Sequence, residues 1–309
     1  MYYILKNYRA RHFTTVLLAI GLSLLSLAVA AADEAATLQQ RGIERIEAYI
    51  AHVRKTGDNK ALFPELDQAD EELRVSAERF AERGEWAAAL FLGEKFWLSY
   101  APSATILAGM KPVGPITEGR LLAAYNPGIG ANQGDQGEIT TITALYPDRN
   151  EVIENPTKAA IRRQVAGTDL VHLSVHGRFK ANESLLSYLQ LKPEGADDGK
   201  LIAAEMFGLP LDKTRLMVLS ACETGESTVT NANETLGMIR ALLYAGANTL
   251  ILSWWEVEAQ STALWMETFH RTIRTAPATE AARQALLAVK AKPEYRHPYY
   301  WAAFQLVGR

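Results

Sequence analysis

The sequence predicts an α/β domain in which helices cover both faces of a mostly parallel sheet, with a short helical region in front of it. From residue 96 onward, short runs rich in Val, Ile and Leu alternate with segments of helical periodicity. Several of these runs end in glycine or small polar residues, as buried parallel strands do. Repeated strand–helix–strand units of this kind form a parallel sheet that is covered on both sides.

The region before residue 85 shows helical patterns only. Apolar residues recur at spacings of three to five between residues 34 and 56, and Gly57-Asp-Asn59 ends the helix that this pattern predicts. Pro64 opens a second predicted helix that runs to about Arg83. A short third helix is predicted for residues 85–93. The first two helices predict a small hairpin over residues 33–84.

The α/β part is predicted to be one domain over residues 85–309, in which glycine and proline residues separate the strands from the helices. The predicted strands are Phe96–Tyr100, Leu121–Tyr125, Val152–Ile153, Leu170–Val175, Leu185–Leu191, the run from Arg215 to Cys222, Asn248–Trp254 and Trp301–Val307. A helical turn is predicted at Ser103–Ala108, and Ile139, Ile142 and Leu145 form one face of a predicted helix. Thr157 is predicted to cap a helix that runs to Val165. The remaining predicted helices are Ala203–Phe207, Glu234–Ala245, Ala259–Ile273 and Ala278–Val289. The glycine-rich stretch 128–137 predicts a loop.

The composition narrows the functional classes. The 309 residues carry a net charge of −3 and no basic run, which argues against nucleic acid as a partner. The single cysteine excludes an internal disulfide, and no Cys/His cluster has zinc-binding spacing. The sequence therefore predicts neither a metal ion nor a cofactor.

The first 32 residues differ from the rest of the chain. Three basic residues precede an almost purely apolar run at residues 16–32, which ends in Ala30-Ala-Ala32. This layout predicts a cleaved signal peptide over residues 1–32, or an uncleaved membrane anchor formed by residues 16–32. Either one would place the rest of the chain outside the cytoplasm, as a periplasmic, secreted or membrane-anchored protein. A buried helix is the remaining alternative.

Two side chains with catalytic potential follow two of the predicted strands. His176 comes directly after the run Leu170–Val175, and Cys222 ends the run that begins at Arg215. Because the carboxyl ends of neighbouring parallel strands meet at one crevice, the two side chains can meet there. The pair fits a cysteine hydrolase, in which the thiolate attacks and the imidazole moves the proton.

The same segments predict the surroundings of the pair. The backbone N–H groups of Gly177 and Cys222 are candidate oxyanion donors. The alternative interpretation is a buried structural cysteine with a histidine at the edge of the core.

A substrate pocket is predicted after a third strand. Trp255, Glu256 and Glu258 follow the run Asn248–Trp254 and could line a pocket for a basic side chain. A solvated turn between strand and helix, with core packing for the tryptophan, is the alternative.

Several segments resemble one known family. Leu173-Ser-Val-His-Gly-Arg-Phe179 resembles the histidine motif of CHAT domains, and Val218-Leu-Ser-Ala-Cys-Glu-Thr-Gly225 resembles their cysteine motif. The stretch at residues 93–105, the helix at residues 234–247 with Ser253-Trp-Trp-Glu-Val257, and Trp301-Ala-Ala-Phe304 also resemble family segments in order and spacing.

The resemblance implies a caspase-like fold related to that of separases, with His176 as the base and Cys222 as the nucleophile of a dyad. It implies a cysteine endopeptidase that cleaves a protein substrate; a non-cleaving module that binds a protein partner is the alternative. Because separases accept a basic residue before the scissile bond, cleavage after Arg or Lys is expected. Glu256 replaces the family's usual proline, and Glu258-Ala259 replaces its usual acidic pair, which leaves the substrate preference open.

Overall fold

The computed structural model describes residues 23–56, 98–100, 110–127, 134–178, 183–220, 233–253 and 258–308. It also describes residues 180 and 255 and several short stretches between residues 68 and 106. The chain divides into two compact units, one up to Lys95 and one from Phe96 onward.

The described residues of the first unit are helical, as predicted. Helix α1 spans Ser23–Thr56, and the residues described between 68 and 82 are helical too. The two segments are joined through Glu72, whose buried carboxylate contacts the guanidinium groups of Arg41 and Arg45. Helix α1 begins before the predicted start because Ala and Leu, two of the strongest helix formers, predominate across residues 24–36, where neither Gly nor Pro occurs. The predicted helix at residues 85–93 lies outside the described residues.

The predicted leader lies only partly within the described residues. Its basic segment and the first part of its apolar run, up to residue 22, are outside them. Of the helices that the structure describes, none is long and apolar enough to cross a membrane. Export through residues 1–32 stays a prediction.

The second unit is the predicted α/β domain. Its strands are β1 (Leu121–Tyr125), β2 (Asn150–Glu154), β3 (Leu170–Ser174), β4 (His176–Arg178), β5 (Tyr188–Gln190), β6 (Lys200–Ile202), β7 (Leu216–Leu219), β8 (Leu250–Ser253) and β9 (Phe304–Val307). The main sheet has the order β2-β1-β3-β7-β8-β9. All of its neighbours are parallel except β8 and β9, so the prediction of a mostly parallel sheet is confirmed.

Helices cover both faces of this sheet. They are α2 (Gly134–Thr143), α3 (Lys158–Gln164), α4 (Ala203–Met206), α5 (Asn233–Tyr244), α6 (Ala259–Thr272) and α7 (Ala278–Lys290). Alternate strand residues pack with α3, α4 and α5 into one apolar core, for example Leu173 and Leu219 with Ile161. The opposite face of β3 meets α2 and α6 through His172.

A second sheet, of order β4-β5-β6, departs from the sequence prediction. Its strands are antiparallel and only three residues long each. The predicted strand Leu185–Leu191 is a 3-10 turn at Ser184–Leu186 followed by β5, and β6 was not predicted. Runs this short carry too little periodicity to be recognised from the sequence.

Three further predictions need correction. Of the predicted strand Phe96–Tyr100, the described part makes a single parallel bridge from Tyr100 to Val307. The last strand begins at Phe304, because turns occupy the residues before it. The predicted loop at residues 128–137 gives way to α2 at Gly134, which shows that glycine alone does not prevent a helix from starting there.

A row of polar rings is buried under the sheet between β3 and α6. Nδ1 of His172 lies 3.1 Å from Nε2 of His270, whose Nδ1 lies 3.1 Å from the hydroxyl of Tyr146. Burial, and then the charge that His172 carries when it is protonated, hold the pKa of His270 well below its usual value. Glu138 on α2 faces His172, and Arg274 lies over the Tyr146 ring. His270 is therefore neutral in the folded protein.

The cap of α3 provides a test of the local structure. Thr157 Oγ1 accepts a hydrogen bond from the N–H of Ala160 at 3.2 Å. We expect Thr157→Ala to lower the free energy of unfolding by about 1 kcal/mol, measured by urea denaturation. Thr157→Ser keeps the hydroxyl and is the control. Equal destabilisation by both substitutions would show that the hydrogen bond is not responsible.

The buried state of His270 predicts how stability changes with pH. In the unfolded chain this histidine takes up a proton near pH 6.5, whereas in the folded protein it stays neutral at that pH. Below that pH the unfolded state binds more protons, so the free energy of unfolding falls by up to about 1.4 kcal/mol per pH unit. The melting temperature should therefore drop between pH 7.5 and 5.5.

The slope of the melting temperature against pH shows whether His270 is the titrating group. His270→Gln removes the titrating ring, so its melting temperature should change less over the same pH range, whatever its absolute stability. His297 has a pKa lowered by burial as well, and His297→Asn retains its capping acceptor, so this variant measures the second contribution. An unchanged slope in His270→Gln would refute the assignment.

Candidate active site

The ends of β3 and β7 lie side by side, as the sequence predicted. The two strands are parallel neighbours, with Leu173 paired to Leu219. The ladder extends one step further, because the N–H of Ser220 donates to the carbonyl of Leu173 at 2.9 Å. Ser174 and Ser220 are thus adjacent, and each lies two residues before one member of the predicted dyad.

His176 does not simply follow the strand end. After β3, the buried Val175 is the single residue before half-buried His176 opens β4, the edge strand of the second sheet. His176 pairs with Gln190, and the buried Gly177 pairs with Leu189. The backbone of the predicted base is therefore fixed by a second set of strands.

Asn126 connects the two sheets next to His176. It follows β1, and its N–H donates to the carbonyl of Ser174 at 3.3 Å. Its side-chain Nδ2 donates to the carbonyl of Gln190 at 2.7 Å, in the residue that pairs with His176. Oδ1 of Asn126 is buried and accepts no hydrogen bond from the described part of the chain.

Cys222 lies outside the described residues, within the stretch 221–232. The last described residue before it is Ser220, which is buried at the end of β7. The structure therefore fixes the strand that leads to Cys222, and the role of this residue and the separation of the His176 ring from its thiol stay predictions. The oxyanion role of the Gly177 and Cys222 N–H groups stays a prediction for the same reason.

A buried carboxylate lies directly beneath the two strand ends. Glu138 on α2 is 3% exposed, and its Oε2 accepts hydrogen bonds from Ser174 Oγ at 3.2 Å and from Ser220 Oγ at 3.3 Å. Its Oε1 faces Nε2 of His172 at 3.1 Å, at an angle too bent for a full hydrogen bond. One carboxylate thus contacts both strands that lead to the predicted dyad.

The predicted pocket residues have structural partners. Both carboxylate oxygens of Glu258 cap α6, since they accept the N–H groups of Gln260 at 2.9 Å and Ser261 at 2.8 Å. The indole N–H of Trp255 donates to the carbonyl of Tyr299 at 2.9 Å. Glu256 lies outside the described residues. A pocket role for these three residues stays a prediction, and the cap gives Glu258 a separate structural role.

Sequence reasoning missed Glu138 and Asn126. A signal for Glu138 was present, because it lies four residues before Ile142 and so shares the buried face of the helix. A charged residue in line with buried apolar ones predicts a buried charge with partners. Within the described residues, no group of three or more His, Cys, Asp or Glu side chains is arranged to hold a metal ion.

Comparison with solved structures finds similar chains at low sequence identity. The Arg-specific cysteine proteinase gingipain R is 11% identical and aligns with a TM-score of 0.39 over 61% of this chain and 46% of its own. Separase in the Saccharomyces cerevisiae separase–securin complex is 13% identical and aligns with a TM-score of 0.48 over 80% of this chain and 18% of its own.

Comparison with curated proteins finds a match to part of a much longer protein. Human tetratricopeptide repeat protein 28 is 30% identical over 109 residues, and the mouse protein is 28% identical over the same length. The alignment covers 35% of this chain and 4% of each relative, so this chain matches only a small part of either.

A family model covers nearly the whole chain. The model of the CHAT domain matches residues 32–309, which include both units except the first 31 residues. The match contains the histidine and cysteine segments and every strand of both sheets. The chain therefore belongs to the CHAT domain family.

Proposed function

We propose that the protein is a cysteine endopeptidase that cleaves a protein substrate with a dyad of His176 and Cys222. The observation that carries the proposal is the pairing of β3 with β7, which brings the segments leading to both residues to one edge of the sheet. Two further features support it: His176 is held on a paired strand, and it is half-buried and so partly accessible.

The chemistry follows from the roles of the two side chains. His176 takes the thiol proton, and the Cys222 thiolate attacks the carbonyl carbon of the scissile peptide bond. The N–H groups of Gly177 and Cys222 stabilise the negative oxygen of the tetrahedral intermediate. His176 then donates its proton to the leaving amine, which leaves a thioester on Cys222. Water, deprotonated by His176, hydrolyses the thioester and restores the enzyme.

Loss of either dyad residue tests this proposal. With a peptide library and the full-length protein, Cys222→Ala should abolish cleavage, and His176→Ala should lower its rate by about 10²–10⁴-fold. Because His176 is half-buried on an edge strand, and Cys222 is expected at the end of its strand, the free energy of unfolding should change by no more than about 1 kcal/mol. His52→Ala, in the first unit, is the matched control and should cleave normally.

Alkylation of the thiol gives a test that needs no substrate. Because Cys222 is the only cysteine, iodoacetamide reports on this residue alone. A dyad thiolate should give a pH profile with its midpoint below the value of about 8.5 for a free thiol, and His176→Ala should return it to about 8.5. Identical profiles, together with unimpaired cleavage by Cys222→Ala, would exclude the dyad. If the protein cleaves no peptide of the library but binds a protein partner, the alternative function, a non-cleaving binding module, is supported instead.

We also propose that the substrate carries Arg or Lys before the scissile bond and that Glu256 contacts it. A charge-assisted contact of this kind contributes about 1.5–3 kcal/mol, so Glu256→Gln should reduce the preference for Arg tenfold or more in a peptide profile. Glu267→Gln is the matched control: this glutamate of α6 pairs with Arg271 outside the predicted pocket, so the preference should stay unchanged. Glu258→Gln weakens the cap of α6 and should lower the melting temperature. A profile favouring Asp or an apolar residue would overturn the proposed specificity.

A further inference from the structure

The contacts of Glu138 are unusual for a side chain that serves only to fill the core. A buried carboxylate is costly unless donors surround it, and an apolar side chain would fill the same space without that cost. Here the donors come from two strands and meet at a single oxygen: Ser174 Oγ at 3.2 Å from β3 and Ser220 Oγ at 3.3 Å after β7.

These two hydrogen bonds lie where the main-chain pairing of the strands ends. The Ser220 N–H to Leu173 carbonyl bond is the last described backbone hydrogen bond between them. Beyond it, β3 ends at Ser174 and the chain joins the second sheet at His176, while Cys222 follows Ser220 by two residues in the sequence. The carboxylate therefore adds one further connection between the strands at the point where their ladder stops.

We propose that Glu138 is a positioning residue for the dyad, because its carboxylate holds Ser174 and Ser220 together and so sets the separation of His176 from Cys222. This inference rests on the proposed peptidase function. Glu138 touches neither the substrate nor the reacting atoms in this role. It acts through two serines that each precede a dyad residue by two positions.

The buried rings behind Glu138 orient it. One set of tautomers orders the row: Tyr146 donates to His270 Nδ1, and His270 Nε2–H donates to His172 Nδ1. His172 Nε2–H then lies against Oε1 of the carboxylate at 3.1 Å, in a polar contact that is not a full hydrogen bond. Every donor then points toward Glu138, which carries the charge. Oε1 is thereby directed to His172, and Oε2 is left to accept both serine hydroxyls.

This geometry predicts which variants keep Ser174 and Ser220 hydrogen-bonded to one acceptor and which variants do not. In Glu138→Gln, a single amide oxygen can accept both serines, and the amide N–H can donate to His172 once the histidine tautomers reverse. In Glu138→Met, both serine hydroxyls lose their acceptor. The double variant Ser174→Ala, Ser220→Ala removes the donors and keeps the charge.

The experiment measures the pH profile of Cys222 alkylation by iodoacetamide, together with the melting temperature, in the full-length protein. The midpoint should rise by about one pH unit toward the free-thiol value of about 8.5 in Glu138→Met and in the serine double variant. It should stay close to wild type in Glu138→Gln. Glu151→Gln is the matched control; it changes a glutamate that pairs with Arg120 at the surface, and should leave the profile unchanged.

The outcomes distinguish positioning from the other roles of a buried glutamate. A lower melting temperature with an unchanged midpoint in Glu138→Met and the serine variant would show a purely structural role. Removing a nearby negative charge would by itself lower the midpoint, so a fall in both Glu138→Gln and Glu138→Met would show a purely electrostatic effect. If Glu138→Gln behaves like Glu138→Met with a raised midpoint, the shared serine acceptor is not the cause.

Two further results are informative. If Glu138→Met does not fold, the serine double variant, which retains the glutamate, decides the question. If wild type and His176→Ala share one midpoint, the proposed peptidase function fails and the positioning role fails with it. A depressed wild-type midpoint that the serine variant leaves unchanged would overturn the positioning role alone.

Discussion

The burial of one carboxylate constrains much of the second unit. Glu138 is almost fully enclosed, so its charge must be met by donors from the surrounding elements. Those donors come from β3 through Ser174 and from the end of β7 through Ser220, and the ring of His172 lies against the other carboxylate oxygen. Helix α2, β3 and β7 must therefore adopt one relative placement for the carboxylate to be satisfied, and that placement also aligns the two strand ends.

The main sheet supplies this alignment through its topology. Parallel neighbours have their carboxyl ends at the same edge, and β3 and β7 lie at the centre of the order β2-β1-β3-β7-β8-β9. The apolar core formed with α3, α4 and α5 holds these strands on the opposite face. The polar contacts around Glu138 therefore act on strands whose depth and direction the core has already determined. At His176 the chain joins the second sheet, where strand pairing fixes the backbone of this residue.

Much of this arrangement could be predicted from local sequence signals. Thr157 ends a turn and precedes a helix of the expected length, and its hydroxyl caps that helix as predicted. Leu121–Tyr125 and the runs before His176 and Cys222 were recognised because continuous apolar stretches of this length are typical of buried strands. The adjacency of β3 and β7 was expected because the side chains at the carboxyl ends of neighbouring parallel strands converge on one crevice.

The rest depends on contacts between distant residues. The strands β4, β5 and β6 are too short to carry a periodic pattern, and they are connected to the main sheet by the hydrogen bond from Asn126 to the carbonyl of Gln190, which no local pattern predicts. The charge of Glu138 gave no indication of which strands would meet it, because Ser174 and Ser220 are 36 and 82 residues away along the chain. The dyad separation could be predicted only as a consequence of strand adjacency.

The bridge from Tyr100 to Val307 has a consequence for how this unit can be combined with others. The N–H of Tyr100 donates to the carbonyl of Leu306 at 2.9 Å, and the N–H of Gly308 donates to the carbonyl of Tyr100 at 3.0 Å. The entry and the exit of the α/β unit are therefore hydrogen-bonded to each other at one edge of the sheet. Two such paired segments hold the chain connections on either side of the unit close together, which is the arrangement that domain insertion requires.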